Sequence, residues 1–162
     1  MTGTERDRLL AMDDRALATV CDFEFLKGTG NGGQKRNKTS SAVRAHLRDT
    51  GFSAYDCAER SQHRNRAGAL RKLRMALALD CRATPALPPE QVRCALDHAA
   101  YPLWCARLLD VLAEADWEIK AAAETLRISS SALNKLLFRD DDLWTKVNAE
   151  RAACGRHPLL RP

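Results

Sequence analysis

The stretch CDFEFLKGTGNGGQKRNKTSSAVRAHL, residues 21–47, decides the fold. Its first six residues alternate, with Asp22 and Glu24 on one side and Cys21, Phe23 and Phe25 on the other, the period of a half-exposed strand. Four glycines then fall within six residues, at 28, 30, 32 and 33, and Lys35, Arg36, Lys38 and Arg44 occupy four of the next eleven positions. Gly28, Gly30 and Gly33 fit the Gly-x-Gly-x-x-Gly spacing of a dinucleotide site, which needs a buried strand before it and a helix directly after it. Neither requirement is met. The preceding strand carries acids on one face, whereas strands of a doubly wound parallel sheet are buried on both. The residues after Gly33, QKRNKTSS, offer no apolar face for a helix, and no Gly-Lys-Ser/Thr closes the run as a phosphate loop would require.

Working outward, residues 41–48 alternate as AVRAHLR after Ser41 and fit either a strand or a short helix. Asp49-Thr50-Gly51 is a turn signal, and residues 52–58 alternate again, so the two segments are expected to form a hairpin that pairs with the first strand. Upstream, residues 5–12 and 13–20 read as short helices, with Asp13 or Asp14 as an N-cap. Downstream, SQHRNRAGALRKLRMALAL, residues 61–79, places Ala67, Leu70, Leu73 and Leu77 on one side of a helix whose other side is basic, with Ser61 as its cap. RATPALPP, residues 82–89, is the proline-rich linker. Helices are expected beyond it at 90–100, 103–115, 119–126, 130–138 and 142–154. Within EIKAAAETLRISSSALNKLLF, residues 118–138, the apolar spacing is that of a helix-turn-helix, with Ser129 or Ser130 capping its second helix. The expected class is α+β: residues 1–82 with a few-stranded antiparallel or mixed sheet and a long helix, a linker at 83–89, and an all-α module at 90–162.

The chain has 162 residues, the size of one domain, or of one small domain with an appendage. Six cysteines at 21, 57, 81, 94, 105 and 154 show no Cys-x-x-Cys and no histidine at ligand spacing, which argues against zinc and against a disulfide framework. MTGTERDRLL has no apolar signal core, and no run is long enough to span a bilayer, so the cytoplasm is the expected location. Net charge is +5, but residues 27–74 hold twelve Lys/Arg against three acids, while residues 81–162 hold eleven of each sign. Positive charge confined to the segment around a glycine run is the footprint of a polyanion-binding face.

GGQKRNKTSSAVR, residues 32–44, resembles the glycine-glycine-glutamine loop of class I peptide chain release factors, with Asn37, Lys38 and Thr39 following as in that family. ERSQHRNRAGALRKLR, residues 59–74, resembles the family's R-S-Q-x-x-N-x-x-x-A-L segment. The two blocks stand in the family's order and the resemblance covers about residues 15–80. It implies the family's catalytic domain, a small unit that reaches the ribosomal peptidyl transferase centre and hydrolyses peptidyl-tRNA. By that resemblance Gly32, Gly33 and Gln34 are catalytic, and Lys35, Arg36, Asn37, Lys38, Arg44, Arg60, Arg64 and Arg66 contact RNA. Arg60, Ser61, Gln62 and Asn65 also match as residues capping the helix against the loop base. The resemblance further implies a methyltransferase acting on Gln34. No cofactor or metal is expected, and the chain is expected to act as a monomer. Release factors carry a codon-reading domain for which this chain leaves no room, so its layout resembles the short, codon-independent factors that rescue stalled ribosomes. Those typically end in a Lys/Arg-rich tail, and this chain departs from them in having a neutral, folded-looking C-terminal half.

The implied chemistry explains the residue types. Glycines at 32 and 33 lack β-carbons, reach φ/ψ closed to other residues and allow close backbone approach to the ester. The backbone N–H of Gln34 would then stabilise charge developing on oxygen, a contribution on the order of 10²–10³ in rate for one such donor. No His, Asp or Glu lies in residues 28–40, which fits catalysis by positioning rather than by general acid and base. Two other readings stand beside this one. In the first the chain is a ribosome- or RNA-binding accessory without catalysis. In the second it is a DNA-binding regulator using the helical half, although the second helix of the motif contributes only Lys135 as a cation.

Overall fold

A computed structural model describes residues 1–27 and 41–162 of the chain. Contacts divide it into two compact units, one built on Arg8–Leu77 and the other on Thr2–Asp7 together with Ala78–Pro162.

In the first unit the alternating segments become a three-stranded antiparallel sheet, β1 (Cys21–Leu26), β2 (Ala42–Leu47) and β3 (Ser53–Asp56), in that spatial order. Residues 42–47 are therefore a strand rather than a helix. Cys21 pairs with Leu47 and Leu26 with Ala42, while Val43 pairs with Asp56. Side chains at paired positions share a face, so Cys21, Phe23, Val43, Ala45 and Leu47 point one way and Asp22, Glu24, Arg44 and His46 the other. Asp49 takes the left-handed conformation in the β2–β3 turn (φ 58°), a region that Asp tolerates better than most residues.

Two short helices precede the sheet, α1 (Gly3–Ala11) and α2 (Asp14–Thr19). Of the two candidate caps it is Asp13 that accepts the Ala16 N–H, at 2.7 Å. The long helix α3 (Gln62–Asp80) follows β3. Its buried stripe, Asn65, Ala69, Leu73 and Leu77, steps by four residues and closes the core with Leu10, Leu17, Val43 and Ala45. Gly68 sits mid-helix, where glycine costs up to about 1 kcal/mol relative to alanine. A β-carbon there would overlap the buried Asp56 carboxylate and lie 2.8 Å from its Cγ. That carboxylate accepts from Lys72 Nζ at 2.9 Å and from the Ala58 N–H at 3.4 Å.

The second unit is helical: α4 (Tyr101–Glu114), α5 (Ile119–Thr125), α6 (Ser130–Leu137) and α7 (Asp141–Ala153). Caps start three of them. Glu118 accepts from Ala121 N–H, Ser129 from Ala132 N–H and Asp140 from Leu143 N–H. A chain reversal at residues 126–129 joins α5 to α6, with Arg127 left-handed (φ 55°). Its core combines Cys105, Leu108, Leu109, Leu112, Leu133, Leu137, Leu143 and Val147 with one buried ion cluster. Asp110 is 1 % exposed and receives Arg6 through two bonds of 2.7 and 2.8 Å, the Ala83 N–H at 3.0 Å and Arg82 at 3.2 Å.

The helix expected at residues 90–100 does not form. That segment is turns and bends. The Trp104 indole N–H takes the Gln91 carbonyl at 3.0 Å, an acceptor that a helix would have given to the residue four places on. Val92 and Leu96 face outward, 45 % and 49 % exposed, so no apolar stripe packs to hold a helix there.

Candidate functional site

Gly32, Gly33, Gln34, Lys35, Arg36, Asn37 and Lys38 lie outside the described residues. What the structure places is the framework around them. Strands β1 and β2 are paired to their ends at Leu26 and Ala42, so the two points where the chain enters and leaves residues 28–40 stand side by side.

The exit point is bolted to α3 by one side chain. Asn65 is fully buried, and its Nδ2 donates to the Ser41 carbonyl at 2.7 Å and to the Glu59 carbonyl at 2.8 Å. Its Oδ1 accepts the Glu59 N–H at 2.8 Å. The amide therefore ties the residue just after the glycine-rich run to the approach to α3. Ser61 supports the same corner: its Oγ accepts the Arg64 N–H at 3.4 Å and its carbonyl accepts the Asn65 N–H at 3.0 Å. An amide is suited to this place because it offers two donors and an acceptor without charge.

Among the described residues, the basic side chains expected to meet RNA do not share one face. Arg44 lies half-exposed on the outer face of the sheet, 3.8 Å from Glu24 and over the Tyr55 ring at 5.7 Å. Arg66 stands over the Phe23 ring at 4.1 Å, on the opposite face. Arg64 is exposed and 3.7 Å from Glu59, and Arg60 is exposed beside it in the chain. His46, which has no acidic neighbour in sequence, finds one across the strands: its Nε2 is 3.7 Å from Glu24. On the Phe23 side, Arg66 and His63 share a groove of about 430 Å³ between α2 and α3 with Arg15 and Asp14. Arg15 is a cation that motif reading passes over, because it belongs to neither block and reaches the site only through the packing of α2. Asp14 does not neutralise the groove alone, since it also binds Arg74 at 2.5 Å.

Burial pushes the Asp56 carboxyl up, but the Lys72 ammonium and backbone N–H donors more than offset this and hold it below the usual carboxylate range. Asp56 is therefore an ionised strut behind the sheet at neutral pH, not a proton carrier. Among the described residues no group of three or more His, Cys, Asp or Glu is placed to hold a metal ion, and no helix is long and apolar enough to cross a membrane.

Residues 18–93 match the family model described as "RF-1 domain". This stretch is an RF-1 domain. It contains both blocks, 32–44 and 59–74, together with the sheet and α3. Over 64 residues the chain is 44 % identical to "Peptide chain release factor 1" of Acidiphilium cryptum (strain JF-5), covering 40 % of this chain and 18 % of that protein. Over 55 residues it is 42 % identical to "Peptide chain release factor 2" of Helicobacter pylori (strain Shi470) and, equally, of Helicobacter acinonychis (strain Sheeba), covering 34 % of this chain and 15 % of each. The chain thus spans less than a fifth of the curated relatives it matches. No solved structure matches it. The RF-1 domain ends at residue 93, so helices α4–α7 lie beyond it.

Proposed function

We propose that the protein hydrolyses the ester of peptidyl-tRNA on the ribosome and releases the nascent chain, and that it does so on stalled ribosomes without reading a stop codon. The observation that carries the reading is Gly32-Gly33-Gln34 inside an RF-1 domain whose flanking strands are paired to their ends. In this reading the glycines admit the backbone to the ester, and the Gln34 N–H stabilises the oxygen on which charge develops. The Gln34 amide selects and orients water. Lys35, Arg36, Asn37 and Lys38 hold ribosomal RNA by contacts that position without reading sequence, joined by Arg44, Arg60, Arg64 and Arg66. Stop-codon independence is the finer half of the proposal; its support is the resemblance to short rescue factors.

The test is peptide release from ribosomes holding peptidyl-tRNA in the P site, with mRNA truncated there, continuing in a sense codon, or continuing in a stop codon. The full chain should release peptide on the truncated message, with no gain from a stop codon. Gly33→Ala, which adds a β-carbon and removes no charge, should abolish release and leave ribosome binding intact. Release by Gly33→Ala at the wild-type rate would overturn the catalytic assignment. Release that requires a stop codon would overturn the rescue half.

A further inference from the structure

Residues 81–162 carry equal numbers of acids and cations, yet one groove there has cations as its only charged lining residues. It runs along α6 from the Ser129 cap to Arg139, with residues 93–95 as its opposite wall, and encloses about 620 Å³. Arg93, Lys135 and Arg139 line it, with the hydroxyl residues Ser129 and Ser131 at the helix start and no carboxylate. All three cations are exposed, and among the described residues none forms an ion pair. Several other cations of the second unit are engaged, Arg6 and Arg82 with Asp110, Arg107 with Asp7, Lys146 with Asp80 and Arg156 with Asp116, but none of these lines the groove. Three like charges lining one trough repel one another, and no carboxylate lines the trough beside them.

We propose that this groove binds the phosphodiester backbone of single-stranded RNA. The inference rests on the ribosomal reading above for the identity of the polyanion, and it adds a site built mainly on α6, beyond the RF-1 domain, whose last matched residue, Arg93, lines the facing wall. From Ser129 to Arg139 the trough runs about 15 Å at helical rise, long enough for more than one phosphate along a strand. Double-stranded DNA is a poorer fit, because a helix that enters a major groove must stand clear of its neighbours. Here α6 is flanked on both sides. Residues 93–95 wall one side, and on the other Asn134 Nδ2 donates to the Leu160 carbonyl at 3.0 Å while Arg161 lies over Phe138 at 6.0 Å. A strand laid along the trough needs no such clearance, and its phosphates meet the cations edge on.

The experiment measures binding of fluorescent oligouridylate to the full chain across a KCl series, for the wild type, for Arg93→Ala/Lys135→Ala/Arg139→Ala, and for Lys120→Ala as a control outside the groove. Each phosphate contact contributes about 0.7 to the slope of log K against log salt for a single strand, so the triple variant should flatten it by about 2. Lys120→Ala should leave the slope unchanged. Oligouridylate should also slow alkylation of Cys94, which lines the groove, and not of the exposed Cys154. The substituted side chains are exposed and unpaired, so the variants should keep the wild-type tryptophan emission and circular dichroism. An unchanged slope with intact fold overturns the proposal. So does a triple variant that loses binding to duplex DNA or to polyglutamate while keeping the RNA slope. A wild-type protein that binds oligouridylate through the groove but releases no peptide would overturn the hydrolase reading and leave this site standing.

Discussion

Replacing Asn65 tests the joint between α3 and the end of the glycine-rich segment. Asn65→Ala removes three hydrogen bonds and strands the Ser41 carbonyl together with the Glu59 N–H and carbonyl. At about 1 kcal/mol net per bond, with part of the loss recovered where Glu59 can reach water, the cost should be about 2–4 kcal/mol. For a urea m-value near 2 kcal/mol/M this lowers the midpoint by about 1–2 M. Asn65→Asp is the sharper perturbation because its shape is unchanged. One of its oxygens can still accept the Glu59 N–H, but the other faces the Ser41 and Glu59 carbonyls where a donor is needed. Buried against two acceptors, the introduced carboxyl should have a folded pKa above its unfolded value of about 4. Stability linked to a raised pKa is present below the unfolded value and lost as pH rises through the folded one. Asn65→Asp should therefore be less stable than Asn65→Ala at pH 7 and recover on acidification towards pH 4, relative to wild type at each pH. The three tryptophans, 104, 117 and 144, all lie in Ala78–Pro162, so their emission reports the other unit. The assay is thus hydrogen exchange of the Cys21–Leu26 and Ala42–Leu47 amides alongside circular dichroism. Wild-type protection in Asn65→Asp at pH 7, or recovery at high rather than low pH, would refute the assigned bonding.

Further outcomes concern packing, the buried ion cluster, thiol access and modification. Gly68→Ala should lower the melting temperature despite the helix-propensity gain, because its methyl displaces the Asp56 carboxylate from Lys72; in an Asp56→Ala background the same change should become stabilising, and additive effects would refute the coupling. Asp110→Ala should cost about 3–5 kcal/mol, read by tryptophan emission during denaturation, since it leaves buried Arg6 with Asp7 as its one carboxylate and takes the shared acceptor from Arg82 and the Ala83 N–H. Arg6→Met should cost less, because Asp110 keeps Arg82 and the Ala83 N–H. In native protein a thiol reagent should modify Cys154 well before Cys21 or Cys105, because burial raises both of those thiols, Cys105 to about 12, and shields them; early loss of the Cys105 thiol would contradict its burial. Protein from its native host should carry one added methyl group on the Gln34 amide in peptide mass spectra, and an unmodified Gln34 would remove the methyltransferase from its partners.

Local periodicity was readable because it needs no knowledge of the fold. Alternation at 21–26 makes a strand and apolar spacing along 62–80 makes a helix, whereas 42–47 fits strand or helix until it pairs with β1. The caps at 13–14 and 129–130 are legible only to within two neighbouring residues until Asp13 and Ser129 make the bonds. Charge crowding around residues 28–44 and the two family blocks were equally a property of the string, and they pointed to the RF-1 domain. Partnerships at long separation were not readable. Arg6 resembles any exposed basic residue until Asp110, 104 residues away, takes its guanidinium, and this is why Thr2–Asp7 groups with Ala78–Pro162. Gly68 reads as a flaw in a helix until Asp56 fills the space of its missing side chain. Residues 90–100 have a helical composition, but Trp104 claims the Gln91 carbonyl and no neighbour covers Val92 or Leu96. Arg44 and Arg66 belong to one basic segment, yet the pleat sends the sheet's side chains to opposite faces, so one meets Tyr55 and the other Phe23. Arg93, Lys135 and Arg139 form a groove only because the chain folds residue 93 against α6. A side chain's period is set by its immediate neighbours along the chain, whereas its partner depends on which polar groups the rest of the fold leaves unpaired and within reach.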